Sequence, residues 1–201
     1  MSSGEGACGL WQKAITPLTK DDIRDTAKKE AQYQTVQKAL TKFFNKYDVE
    51  CVGRMATICS YLKLAFPYMS FVGFYTNRGN HTLGIGPYQG ELIACGLIDF
   101  GKGVCGVAAQ SVTTQRVDDV NKIENYIACD DVTQSEIVVP VTYPGSMRVC
   151  RRFLALSGYM QRNTVYLFTV FLPVSVSKQV QSVLDIDADV VEAFDETDEV
   201  S

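Results

Sequence analysis

The sequence has a single histidine, His81, among its 201 residues, and no Cys-x-x-Cys pair. The usual zinc spacings are therefore absent, and a tetrahedral centre would have to recruit widely scattered thiolates, so no metal site is expected. His81 sits beside a turn signal, where a histidine is ordinarily a solvated surface residue. A Cys-His catalytic pair is accordingly not expected either.

Positive charge is scarce, with 19 Lys and Arg against 23 Asp and Glu and a formal net charge of -4. A nucleic-acid groove or a basic membrane-binding face needs clustered Lys and Arg, so neither partner is expected, and small molecules and proteins fit better. Long apolar runs are also missing. The longest uncharged apolar stretch, 163–177, falls short of the roughly 18 residues of a membrane-spanning helix. The segment 1–9 is polar and Gly-rich with no apolar core behind a basic start, so it does not read as a signal peptide and a cytoplasmic location is expected. In that compartment the seven cysteines, Cys8, Cys51, Cys59, Cys95, Cys105, Cys129 and Cys150, should be mostly reduced rather than a disulfide framework.

What is present suits one globular core, with 46% hydrophobic and 21% charged residues. Thr19 with Asp22 resembles a capping box and is expected to open an amphipathic helix whose apolar face carries Val36, Leu40, Phe43, Phe44 and Tyr47. A second stripe, Val52, Met55, Cys59, Leu62 and Phe66, predicts a helix ending before Pro67, with Cys59 buried and inert. Short apolar runs then predict strands over 71–76, 82–89, 92–100, 115–120 and 136–141. Asn77, Gly79 and Asn80 supply a tight turn that makes the first two an antiparallel hairpin. Gly101, Gly103 and Gly106 surround Cys105 and predict a strand turning sharply into a short helix. By count they match Gly-x-Gly-x-x-Gly, but the alternating parallel unit that a dinucleotide site requires is missing around them.

Six linked segments carry a resemblance: Gly86-Pro87-Tyr88-Gln89-Gly90, Ala94-Cys95, Phe100-Gly101-Lys102-Gly103-Val104-Cys105-Gly106, Ile127-Ala128-Cys129-Asp130, Ser135-Glu136-Ile137-Val138-Val139-Pro140 and Val183-Leu184-Asp185-Ile186-Asp187. In order, and in spacing up to Pro140, they resemble the free methionine-R-sulfoxide reductase family. The resemblance covers about 52–141 and 182–195. It implies an α/β (α+β) fold, a GAF-like domain with a central antiparallel sheet, packed helices and a small pocket closed by loops. It further implies reduction of free methionine-R-sulfoxide, recycling by thioredoxin, and no metal or organic cofactor. A homodimer is left open. The rival reading is a GAF small-molecule-binding module or an inactive relative, although such sensors usually sit beside an output domain.

Carried over residue by residue, the resemblance makes Cys129 the attacking cysteine, Cys95 its resolving partner in a Cys95-Cys129 disulfide, and Cys105 an auxiliary thiol of unassigned role. Thiol reduction of a sulfoxide needs an attacking thiolate, an acid for the departing oxygen and a second thiol to clear the sulfenic acid. Asp130 and Asp131 beside Cys129 would oppose its ionisation unless their side chains point to solvent. The free amino acid differs from a peptide-bound one in its ammonium group, which carboxylates could select; Glu136, Asp185 and Asp187 match the family's acidic set. Glu136 is expected to be the protonated member that donates to the sulfoxide oxygen. Asp185 and Asp187 are two apart on an expected strand and so share a face. Tyr75 and Phe71 alternate on another strand and are expected to wall the substrate methyl group, with Phe71 standing where the family usually has tryptophan.

The pattern breaks at about 143–177, an insert where the family needs only a short hairpin connection. From Ile137 to Leu184 there is no Asp or Glu, while Arg148, Arg151, Arg152 and Arg162 make the stretch basic. It reads either as a lid or partner-binding loop or as translated non-coding sequence. Residues 1–18 read as a flexible amino terminus and 19–201 as a single domain. Seven acids crowd into 187–201, where the resemblance implies continuation into a closing helix.

Overall fold

Thr19 and Asp22 do form a capping box, with Thr19 N donating to Asp22 Oδ2 at 2.9 Å, but it closes a short 3-10 turn, Lys20–Asp22, rather than the long helix. That helix, α1 (Thr26–Lys46), has its own cap, because Asp25 accepts from Lys28 N at 3.1 Å. The capping signal is local, and two acids close in sequence each found a turn to satisfy. Together with these elements, the computed structural model describes residues 15–91, 94–123, 126, 127, 129–142 and 180–199. The expected amino terminus up to residue 14 and the insert 143–177 lie outside the described residues.

One face of α1 buries Lys29, Gln32, Tyr33, Val36, Leu40 and Phe44, a spacing of three and four that puts them on one stripe. The second helix, α2 (Cys51–Ala65), ends with Phe66 as C-cap immediately before Pro67. Its buried stripe is Arg54, Ile58, Cys59, Leu62 and Ala65. Val52, expected on that stripe, is 67% exposed, because it lies about 200° of helical rotation from Arg54. Arg54 earns its buried position by donating Nε to Val49 O at 2.6 Å with its guanidinium 5.0 Å from the Phe44 ring centroid.

Among the described residues six strands follow in one antiparallel sheet of order β3-β2-β1-β6-β5-β4. They are β1 (Met69–Asn77), β2 (Thr82–Gly90), β3 (Leu97–Asp99), β4 (Gln115–Val117), β5 (Ser135–Thr142) and β6 (Val180–Ala188), with α3 (Gly103–Ser111) between β3 and β4. The expected α/β (α+β) arrangement is the one that forms. The β1–β2 hairpin turns where Asn77 Oδ1 accepts from Gly79 N at 2.8 Å, and exposed His81 packs its ring edge on Phe100. Among the described residues of the run expected over 92–100, Leu97–Asp99 are in the ladder; Ile85 N still reaches Gly96 O, but Ala94 and Cys95 leave the sheet, with Cys95 held by a disulfide to Cys129. The run expected over 115–120 stops at Val117 because Asp119 caps a 3-10 turn, accepting from Asn121 N at 3.0 Å.

Strand alternation sorts the sheet's side chains into two layers. Val72, Phe74, Ile137, Val139, Leu184, Ile186 and Ala188 face the core formed with α1 and α2. Phe71, Tyr75, Val138 and Val183 face the opposite layer, which α3 covers through Val104, Cys105, Ala108 and Ala109. β1 and β6 are the central strands, so side chains on their second face lie beneath the α3 layer rather than at a sheet edge. Beyond β6 the chain returns to α1, where fully buried Lys29 meets Asp198, Asp195 at 3.2 Å and Ala193 O at 3.1 Å, and Tyr33 Oη donates to Asp198 at 2.5 Å. Asp198 thus belongs to the core rather than to a solvated acidic tail. Among the described residues no helix is long and apolar enough to cross a membrane.

Candidate active site

Glu136 on β5 is the register partner of Asp187 on β6, and Asp185 stands opposite Val138. Because residues two apart on a strand share a face, Asp185, Asp187 and Glu136 all project toward the α3 layer. There they line a small open cavity, together with Tyr75, Cys105, Tyr126 and Cys129 among others. Glu136 and Asp185 are buried and Asp187 is half-buried.

The chain reaches α3 through a turn that only glycine makes without strain, since Gly101 has φ +77° and Gly103 φ +56°. A Cβ on Gly106 would collide with the Asp99 carbonyl oxygen, so glycine there lets α3 lie against the end of β3. This close approach sets the Cys105 thiol beside Asp185. The opposite rim is the segment that carries Tyr126 and Cys129, and the disulfide from Cys129 to Cys95 closes it with a Cα–Cα distance of 5.5 Å. Cys129 is exposed and Cys95 half-buried, so the bond lies at the cavity mouth, accessible from solvent.

The electrostatics follow from burial of several acids that no ion pair among the described residues neutralises. Burial pushes the Asp185 carboxyl up to about 7, against the donated hydrogen bonds of Cys105 and Glu136. Burial and then the Asp185 charge hold Glu136 well above the carboxylate range, partly offset by the Tyr126 hydroxyl that donates to it. Asp187 rises for the same reasons, burial first and then the charges of Asp185 and Glu136. Burial also pushes the Cys105 thiol well up, so it is a neutral donor and not a thiolate. Such a floor can donate a proton from one carboxyl while another keeps its negative charge, and it attracts a cation.

Of the residues expected from sequence, Cys95, Cys129, Cys105, Glu136, Asp185, Asp187 and Tyr75 gather at this cavity or its mouth. Phe71 is buried on the same face and stacks on Tyr88 with centroids 5.4 Å apart, without lining the cavity. Cys59 is buried on α2, donating to Pro87 O at 3.5 Å, with burial pushing its thiol up to about 12. Asp131 is exposed, while Asp130 lines the cavity with its carboxylate engaged by Val132 N, Thr133 N and Thr133 Oγ1. Sequence reasoning passed over Tyr126 and Lys102, which also line the cavity. Lys102 lies inside the motif that carries Cys105, and Tyr126 immediately precedes the motif that carries Cys129, which was the available signal.

No family model matches the chain. It is similar to the free methionine-R-sulfoxide reductase of Saccharomyces cerevisiae, 52% identical over 75 residues that make up 36% of this chain and 41% of that protein. The match thus spans about two fifths of that relative's length. GAF domain-containing protein A of Dictyostelium discoideum is 31% identical over 171 residues, 85% of each chain. Among solved structures, free methionine-R-sulfoxide reductase from Neisseria meningitidis in complex with its substrate is similar at 28% identity and a TM-score of 0.65, covering 92% of this chain and 86% of that one.

Proposed function

The chain belongs to the free methionine-R-sulfoxide reductase family of GAF-domain proteins, and on that premise we propose that it reduces the R epimer of free methionine sulfoxide to methionine with its own thiols. The observation that supports this reading most is the placement of the Cys95-Cys129 disulfide at the mouth of a cavity floored by Glu136, Asp185 and Asp187. A redox-active pair and an acidic floor meet there.

In the proposed reaction the Cys129 thiolate takes the oxygen of the sulfoxide as one proton is supplied, leaving methionine and a Cys129 sulfenic acid. The Cys95 thiol then attacks that sulfur, water leaves, and the disulfide present in this structure is the product. A thioredoxin dithiol restores both thiols. Protonated Glu136, with its carboxyl held above the usual range, supplies the proton at the sulfoxide oxygen. Asp185 and Asp187 hold the ammonium group, which a peptide-bound methionine sulfoxide lacks, and Tyr75 walls the methyl end. Phe71 acts behind that wall, by fixing the strand face on which Tyr75 stands. Cys105 donates its neutral thiol to Asp185 and takes no part in the electron transfer.

Turnover of the separated R and S epimers of free methionine sulfoxide with a thioredoxin system tests this. R-specific turnover in the wild type, lost in Cys129→Ser, is the expected result. A folded protein inert to both epimers overturns it and supports a ligand-binding module instead.

A further inference from the structure

The same cavity contains a donor set that thiol chemistry uses only in part. One ligand atom each from Cys105, Glu136 and Asp185 lies within 4.8 Å of the others, and all three residues are buried. Asp185 Oδ1, in a residue 6% exposed, has no hydrogen-bond partner, and neither has the buried Asp187 Oδ1. None of the ion pairs among the described residues involves these acids, although Lys102 also lines the cavity. Although Cys105 and Glu136 donate to the Asp185 carboxyl, its buried Oδ1 is left without a partner at the cavity floor, which is costly, and a cation is a partner that would satisfy it.

The donors identify the cation. Around a zinc-sized ion with bonds of about 2.0 to 2.3 Å, ligands stand about 3.3 to 3.8 Å apart, which small side-chain rotations reach from the present spacing. A sulfur donor selects zinc, cobalt or cadmium over magnesium or calcium, which prefer all-oxygen shells. The three ligands come from α3, β5 and β6, rigid elements packed on one another, and the cavity leaves a fourth position for water. Cys95 and Cys129 are already joined, so the set is complete without either of them.

We propose that Cys105, Glu136 and Asp185 bind one thiolate-seeking divalent cation of the zinc class, which displaces the Cys105 thiol proton and the Glu136 carboxyl proton to solvent, and that this cation inhibits the protein by occupying the position of the substrate ammonium. The inhibitory half rests on the proposed reductase reading; metal binding itself does not.

Cobalt(II) titration of the full chain in its Cys95-Cys129 disulfide state tests the binding half. The expected result is saturation near one equivalent with a thiolate-to-cobalt charge-transfer band, displacement by zinc, and loss of the band in Cys105→Ser. The difference between those two proteins isolates the Cys105 thiol from every other cysteine. Glu136→Gln keeps the thiol and should weaken cobalt binding at least about tenfold, with circular dichroism verifying the fold of both variants. A folded wild type with no charge-transfer band, a band unchanged in Cys105→Ser, or an unchanged affinity in folded Glu136→Gln each overturns the site. Free methionine sulfoxide should raise the apparent cobalt dissociation constant. Cobalt bound through Cys105 yet indifferent to the sulfoxide upholds the metal site and overturns both the inhibition and the substrate placement.

Discussion

Glu136 and Asp187 face one another as a register pair across β5 and β6, two acids directly opposite on the cavity side of the sheet. Two buried carboxyls so opposed cannot both ionise without repulsion, and burial alone makes each costly to the fold. Asp187→Asn should therefore raise stability at neutral pH by about 1 kcal/mol while raising KM for free methionine sulfoxide about tenfold or more. Urea unfolding and steady-state kinetics on one preparation measure both. A less stable variant with an unchanged KM would count against the role of this pair.

Stability should also depend on pH through Asp185. Its carboxyl titrates near 7 in the folded protein against an ordinary value of 3.8. Between those values the folded chain binds more protons than the unfolded one, so stability falls as pH rises through the window. Glu136 and Asp187 are shifted in the same direction and steepen the trend. In a metal-chelating buffer, Asp185→Asn should gain on the wild type by about 3 kcal/mol on going from about pH 4 to about pH 7. A wild-type and variant difference that is flat with pH refutes the assignment.

Lys29 ties the returning chain to α1. It is fully buried against Asp198, which also accepts from Tyr33 Oη. Lys29→Met leaves that carboxylate buried with its cation gone and should cost about 3 to 5 kcal/mol. The double variant Lys29→Met/Asp198→Asn should recover part of the loss, which chemical denaturation measures. Equal losses in the single and double variants would mean that packing of the lysine stem, not the charge, accounts for the effect.

Thr142 and Val180 are register partners at the ends of β5 and β6, so the chain between them departs from a hairpin tip and returns to it. A two-residue Asn-Gly turn spans such a pair. Replacing 143–179 by that turn should leave a cooperatively folding protein whose midpoint of thermal unfolding lies within about 5 °C of the wild type. Loss of cooperative unfolding would show that the segment between the strands contributes to the core.

The helix faces, the hairpin at Asn77 and the strand alternation could be read from sequence because each depends on residues within a few positions of one another. Periodicity placed Val36, Leu40 and Phe44 on one side of α1 and stopped α2 before Pro67, as the structure has them. It misassigned the Thr19 capping box and the stripe position of Val52, where a local signal has more than one turn or face to serve. For the site, motif resemblance supplied Cys95, Cys105, Cys129, Glu136, Asp185 and Asp187 as names without positions. Only the tertiary structure decided that Glu136 stands opposite Asp187, that α3 brings Cys105 to Asp185, that Tyr126 donates to Glu136, and that Asp198 is buried on Lys29. Those relations join residues far apart in the chain, and they are set by strand register and by the close approach that Gly106 permits between α3 and Asp99. The raised carboxyl groups follow from that enclosure, since burial is a property of the packed sheet and helix and of no segment taken alone.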